Sequence, residues 1–143
     1  MRRSLLFLAT AASLALPCPC SADTRLGFGA DYLTDNHGIF QLTLSADTPL
    51  ARSIAVGARV GAMLVSGGPV VGAPLDAFMR FYLGRVYVDG LVGPWIFFSG
   101  PDSVRLHGGL GFGLLARRMS FGMEVGGLSA GGALIGARLA FRI

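Results

Sequence analysis

Few residues in this sequence could carry out covalent chemistry. His37 and His107, Ser99 and Ser103, and Asp102 and Glu124 are the ingredients of a nucleophile, a base and an orienting acid. Catalysis of that kind needs the base within hydrogen-bond reach of the nucleophile, and a third group to orient the base. No motif ties these residues together. His107 reads instead as an interior hydrogen-bond partner beside Arg105, and His37 as a loop residue, so no catalytic residue is expected. Two histidines on separate segments without clustered acids match no metal-ligand spacing, so neither a metal nor any other cofactor is expected. The remaining polar chemistry is ionic. Arg59, Arg80, Arg105, Arg138 and Arg142 share one phase of an alternating pattern with Asp31, Asp47, Asp76, Asp89 and Glu124, five charges of each sign. Balanced signs on one face favour pairing.

The stretch that positions these charges most firmly is 75–92, LDAFMRFYLGRVYVDGLV. Leu75, Ala77, Met79, Phe81 and Leu83 alternate with Asp76, Phe78, Arg80 and Tyr82. After Gly84-Arg85 the alternation resumes with Val86, Val88, Gly90 and Val92 set against Tyr87 and Asp89. Period two places each set on its own face of a strand. A two-residue turn beginning with Gly suits a type II′ hairpin, whose first central residue needs positive φ. Leu83 then pairs with Val86, Tyr82 with Tyr87 and Arg80 with Asp89. The ion pair falls on the face away from the apolar row. A hairpin that hides its charges and shows its hydrocarbon suits the wall of an outer-membrane barrel.

The rest of the chain fits that reading. A charged start, Met1-Arg2-Arg3, precedes an apolar run over 5–16 and the small residues Ser21-Ala22, the pattern of a secretory signal peptide cleaved after Ala22. The apolar run is shorter than the roughly 20 residues a spanning helix needs. The expected organisation is a signal peptide over 1–22 and one domain over 23–143. Cys18 and Cys20 leave with the signal, which removes any disulfide or thiolate site from the domain. All 12 basic residues are arginines, and two of them belong to the signal. No basic run interleaved with aromatics suggests nucleic acid. The longest mature stretch free of charge, 60–75, is broken by Gly67, Gly68, Pro69, Gly72 and Pro74, so no transmembrane helix is expected.

Strands are expected over 25–33, 39–47, 53–65, 75–83, 86–98, 104–116, 119–128 and 133–143, with 66–73 as a loop. Pro94 interrupts the fifth strand; a change of phase there would send Trp95 and Phe97 to an aromatic girdle on the outer surface. A three-residue loop over 130–132 would set Glu124 opposite Arg138, and the Arg117-Arg118 turn would put Gly111 beside Glu124 and leave room for a guanidinium. The fold class is therefore all-β, an eight-stranded antiparallel up-and-down transmembrane barrel, closed by pairing the last strand with the first. The interior of an eight-stranded barrel is only wide enough for side chains to fill it, and buried charges must be paired. The expected interior is a plug of ion pairs, formed by Arg59, Asp76, Arg80, Asp89, Arg105, His107, Glu124, Arg138 and Arg142. A narrow pore lined by the same charges is one alternative. A soluble ligand-binding barrel, with the apolar row turned inward, is another.

The signal peptide, eight alternating strands, tight turns on one side, charge-paired interior and terminal strand resemble the small outer-membrane barrels of the OmpA/OmpX type. The resemblance covers the whole mature chain and is architectural, without a diagnostic motif. It implies a bacterial outer-membrane location. It also implies a monomer embedded in outer-membrane lipid and lipopolysaccharide, and insertion by the barrel-assembly machinery. That machinery reads a terminal aromatic in the family, whereas this chain ends Phe141-Arg142-Ile143. Some small barrels modify lipid A with a Ser/His/acid set near the outer rim, which keeps a lipid-modifying enzyme among the alternatives.

Overall fold

The computed structural model describes residues 22–68, 70–99, 103–129 and 131–143. Residues 1–21 of the expected signal peptide and Asp102 of the possible catalytic set lie outside them. Eight strands form: β1 (Asp23–Leu33), β2 (His37–Ala51), β3 (Ile54–Val65), β4 (Val70–Leu83), β5 (Val86–Phe97), β6 (Val104–Leu115), β7 (Met119–Leu128) and β8 (Ala133–Arg142). Each pairs antiparallel with the next, and β8 returns to β1 to close the barrel. Closure leaves no strand edge unpaired. The β2–β3, β4–β5 and β6–β7 turns and both strand termini gather at one end, here the turn end. The other four connections form the loop end.

The β4–β5 hairpin has the register its turn dictates. Leu83 pairs with Val86, Tyr82 with Tyr87 and Arg80 with Asp89. Gly84 takes φ +70°, a conformation strained for any residue with a Cβ. Pro74 and Pro94 lack N–H groups, and the ladder skips Leu75 and Asp76 on β4. Yet Ala77 pairs with Val92 on one side of the gap and Pro74 with Trp95 on the other, three residues along each strand. Hydrogen bonds are lost without an inserted residue, so there is no bulge and the phase does not change. Trp95 and Phe97 consequently point inward, and no outer girdle forms from them.

Three further expectations are corrected. β4 begins at Val70, so the second half of the segment expected as a loop over 66–73 is strand. Its glycine and proline are inward positions: a Cβ on Gly72 would collide with the Met63 side chain. β2 starts at His37 and runs through Pro49 to Ala51. Pro49 is tolerated because β1 pairs with β2 only as far as Asp47, which leaves the proline's missing N–H on an unpaired side. Between β7 and β8 the register differs by two residues from the expected one: Glu124 faces Gly136, and Arg138 faces Gly122. The loop after Leu128 is longer than three residues, with Gly131 and Gly132 both at positive φ.

The outer wall carries Phe28, Phe40, Leu42, Leu44, Leu64, Leu110, Phe121 and Ile135, each more than 40% exposed. The interior carries the charges. This is the reverse of a soluble ligand-binding barrel, whose apolar row would face in. At the loop end the interior closes with an apolar cap of Leu33, Ile39, Met63, Trp95, Phe97, Leu128 and Leu134. Beneath the cap lie the polar residues.

Candidate functional site

The polar interior is built around Asp76 on β4, whose side chain is fully buried. It accepts hydrogen bonds from Arg59 Nη2 at 2.6 Å and Nε at 3.1 Å, from His107 Nδ1 at 2.8 Å, and from Trp95 Nε1 at 3.2 Å. A carboxylate can accept about four such bonds, so this one is saturated. His107 Nδ1 carries the proton in that contact, because the carboxylate can only accept. The imidazole stacks on Trp95 with ring centres 4.4 Å apart, and its Nε2 lies 3.5 Å from Glu124.

Arg59 turns its other edge to Glu124, with Nη1 at 2.7 Å and Nη2 at 3.2 Å. Glu124 also receives Arg138 Nε at 3.1 Å. Arg138 reaches onward to Asp31, which in turn accepts from Gln41 Nε2 at 2.6 Å. The sequence of contacts is Gln41, Asp31, Arg138, Glu124, Arg59, Asp76, and then His107 and Trp95. These eight residues belong to β2, β1, β8, β7, β3, β4, β6 and β5 in that order. Each strand supplies one member of a single hydrogen-bonded belt, which crosses the lumen where Arg59 on β3 meets Glu124 on β7.

Glycine makes the belt sterically possible. Arg138 lies between Gly29 on β1 and Gly122 on β7, while Gly136 lies between Asp31 and Glu124. A Cβ on Gly29 would meet Arg138 Nη1 at 2.6 Å, and one on Gly136 would collide with the Asp31 carboxylate. Gly111 pairs with Glu124 as the Arg117-Arg118 turn predicts, but the side chains nearest to it are those of Asp89 and Leu91 and not a guanidinium.

Nearer the turn end, Arg80 makes two 2.7 Å bonds to Asp89, one from Nε and one from Nη2. Its guanidinium sits 5.3 Å from the Phe78 ring centre and 4.4 Å from that of Tyr87. Tyr87 in turn needs Gly113 and Gly122 beside its hydroxyl, where a Cβ would come within 2.7 Å and 2.5 Å. Below this pair, Arg25 contacts Asp23 at 2.5 Å and Asp47 at 3.1 Å, and Tyr82 donates to Asp47 at 3.1 Å. A cavity of about 60 Å³ lies between the belt and these residues.

Of the interior residues expected from the sequence, Arg59, Asp76, His107, Glu124 and Arg138 meet in the belt, and Arg80 and Asp89 form the second group. Two are corrected. Arg142 lies at the strand's end, its side chain 59% exposed and paired with Asp23 at 2.5 Å, because the barrel has no interior left at that level. Arg105 sits in the loop-end mouth, its guanidinium 5.0 Å from the Phe97 ring centre, and among the described residues it has no carboxylate partner. The apolar cap above the belt separates it from His107. Arg25, Gln41 and Trp95 were not among the expected members. Arg25 and Gln41 were legible, since they share the inward phase of Asp31 and Thr43.

The possible catalytic set does not assemble among the described residues. The polar contacts of His107 are both carboxylates, whereas His37 is exposed and contacts the Ser66 carbonyl at 3.0 Å.

No protein-family model and no curated protein sequence matches this chain. Its fold does match solved structures. A structure described as de novo design of transmembrane β-barrels aligns with TM-score 0.68 and 11% identity, over 89% of this chain and 98% of the other. The designed barrel TMB2.3, solved by NMR, aligns with TM-score 0.64 and 16% identity, over 85% and 94%. The Yersinia pestis outer-membrane protein Ail, in a phospholipid bilayer nanodisc, aligns with TM-score 0.58 and 11% identity, over 86% and 100%. At these identities the likeness is one of fold: this chain is a small, closed, eight-stranded antiparallel barrel.

Proposed function

We propose that the chain is an integral outer-membrane β-barrel of a Gram-negative-type bacterium, of the OmpA/OmpX kind, exported by its N-terminal signal and inserted as a monomer by the barrel-assembly machinery. Its role is structural or interactive, with outer-membrane lipid and lipopolysaccharide as its surroundings. The observation that carries this reading is the inversion of the two faces. The outer wall is a band of exposed Phe, Leu, Val and Met side chains, while Arg59, Asp76, Glu124 and His107 are buried. In water that wall would be an interaction or aggregation liability far larger than the patches soluble monomers expose. In a bilayer it is the favoured surface.

A non-catalytic, non-conducting lumen is supported by the same geometry. The belt joins all eight strands, and the apolar cap covers it with Trp95 and Met63 at 0% and 1% exposure. No nucleophile reaches His107 among the described residues. The connections at the loop end are short, so any partner there is met by small surfaces.

The test is electrophoresis of the outer-membrane fraction with and without boiling, followed by bilayer conductance. A band that migrates faster only when unboiled, with no conductance, is expected. A heat-insensitive band in the soluble periplasm would overturn the membrane reading, and steady single-channel currents would overturn the plug.

A further inference from the structure

We infer that the turn end of the barrel binds an anionic phospholipid, its phosphate on Arg85 and one acyl chain in the apolar groove beside that residue. The inference rests on the membrane-spanning reading above. It starts from the distribution of unpaired charge. The β2–β3, β4–β5 and β6–β7 turns carry Arg52, Arg85, Arg117 and Arg118 and no acid. All four are exposed. Among the described residues, the ion pairs of the barrel engage Arg25, Arg59, Arg80, Arg138 and Arg142, and none of these four. Asp23, the acid nearest this end, is already held by Arg25 and Arg142.

Four like charges on the rim of a small barrel repel one another unless an external anion lies among them. Where an apolar wall meets water, a bilayer supplies phosphates at that level, and guanidinium is the side chain best shaped to bind them. One of the four has more than a general field to offer. Arg85 borders a groove of about 300 Å³ on the outer wall, lined otherwise by Leu114, Leu115, Ala116, Met119 and Phe121. The Arg85 carbonyl accepts the Leu115 N–H at 2.7 Å, which fixes its backbone to the groove. Leu114 and Phe121 are cross-strand partners, both more than half exposed. Ala116 keeps the turn-side end open. A hydrocarbon groove bordered by an arginine matches a lipid with a chain and a phosphate. Arg117 and Arg118 nearby, with no free carboxylate to receive an amine, favour an anionic over a zwitterionic headgroup.

The probe is phosphatidylglycerol in phosphatidylcholine nanodiscs holding the folded full-length barrel, with native mass spectrometry of the lipids retained on release. The wild type should retain phosphatidylglycerol preferentially, by about fivefold for each arginine engaged. The preference should weaken as salt rises. Arg85→Gln should abolish it. Arg52→Gln, which removes a charge from the same end without touching the groove, should leave most of it. Equal loss in both variants would mean a diffuse field and overturn the site, as would equal retention of the two lipids by the wild type. Should Arg85→Gln fail to give the fast unboiled band, the salt series on the wild type decides, and a salt-insensitive preference overturns the proposal. Displacement of phosphatidylglycerol by lipopolysaccharide would also overturn it. Failure of the wild type to enter the bilayer would instead refute the spanning reading, and the gel shift distinguishes the two failures.

Discussion

Asp76→Asn tests the belt most sharply. The substitution keeps the size of the side chain, removes its charge, and replaces one acceptor oxygen with an NH₂ group. That carboxylate now receives Arg59 twice, at 2.6 and 3.1 Å, as well as His107 and Trp95. Any orientation of the amide therefore sets a donor against a donor. Removing one partner of a buried ion pair costs about 3–5 kcal/mol. Arg59 keeps its two bonds to Glu124, which places the expected loss toward the lower limit, at about 3 kcal/mol. The comparison is Arg142→Ala: its pair with Asp23 is just as short, at 2.5 Å, but the arginine side chain is 59% exposed. An exposed pair contributes about 0–1 kcal/mol. The assay is urea titration of the barrel folded into lipid vesicles, with the fraction folded read from unboiled gel mobility. Trp95, the only tryptophan, touches the altered carboxylate, so its emission would report the substitution as well as unfolding. A loss for Asp76→Asn within 1 kcal/mol of that for Arg142→Ala would refute the claim that the Asp76 carboxylate is buried and saturated.

Other substitutions separate the remaining parts of the barrel. Arg80→Ala strands Asp89, which is 6% exposed, and should cost about 3 kcal/mol or more in the same titration. Arg52→Ala, in an exposed turn, should cost little; equal effects would contradict the inward placement of Arg80. Leu42→Arg, on the outer wall, should cost about 2–4 kcal/mol if the residue lies near the bilayer midplane. A neutral result would argue that water, and not lipid, covers that wall. Leu134, 1% exposed, and Ile135, 48% exposed, are adjacent on β8 and face opposite ways. Leu134→Ala should leave a cavity in the cap and cost about 2–5 kcal/mol, and Ile135→Ala distinctly less. The reverse order would invert the barrel.

How far the sequence could be read depended on the kind of connection. Gly84-Arg85 joins two strands with no spare residue, so one ion pair, Arg80 with Asp89, followed from counting and is present. Ser129-Ala130-Gly131-Gly132 is compatible with several loop lengths, and the β7–β8 register was misread by two. A slip of two preserves every inward and outward assignment. Glu124 and Arg138 therefore do meet, at 3.1 Å, as a diagonal pair and not a direct one. The apolar cap is not legible in the sequence for a different reason. Leu33, Ile39, Met63 and Leu134 occupy the inward phase, but an apolar residue does not declare which face it is on as an arginine does. At Trp95 the uncertainty came from Pro94, whose missing N–H looked like a bulge and is only a gap in the ladder.

The misread register also explains what fixes the true one. A chain with 22 glycines and many small outward residues is weakly specified by alternation alone, because slips of two residues keep both faces intact. Such a slip moves a side chain by about 7 Å along the strand, a distance the long arginine spans to Glu124 as a diagonal pair. In the expected register Arg138 would lie level with Glu124 and take the position that Gly136 now occupies. A Cβ at that position collides with the Asp31 carboxylate, so the arginine would displace the very acid it now binds. In the observed register the guanidinium lies over Gly29 and reaches both Asp31 and Glu124, with Gly136 filling the space between the two acids. Glycine and charge thus alternate across β7, β8 and β1 so that one register satisfies sterics and electrostatics together. The network extends that condition across the barrel, since each of the eight strands contributes one of its members.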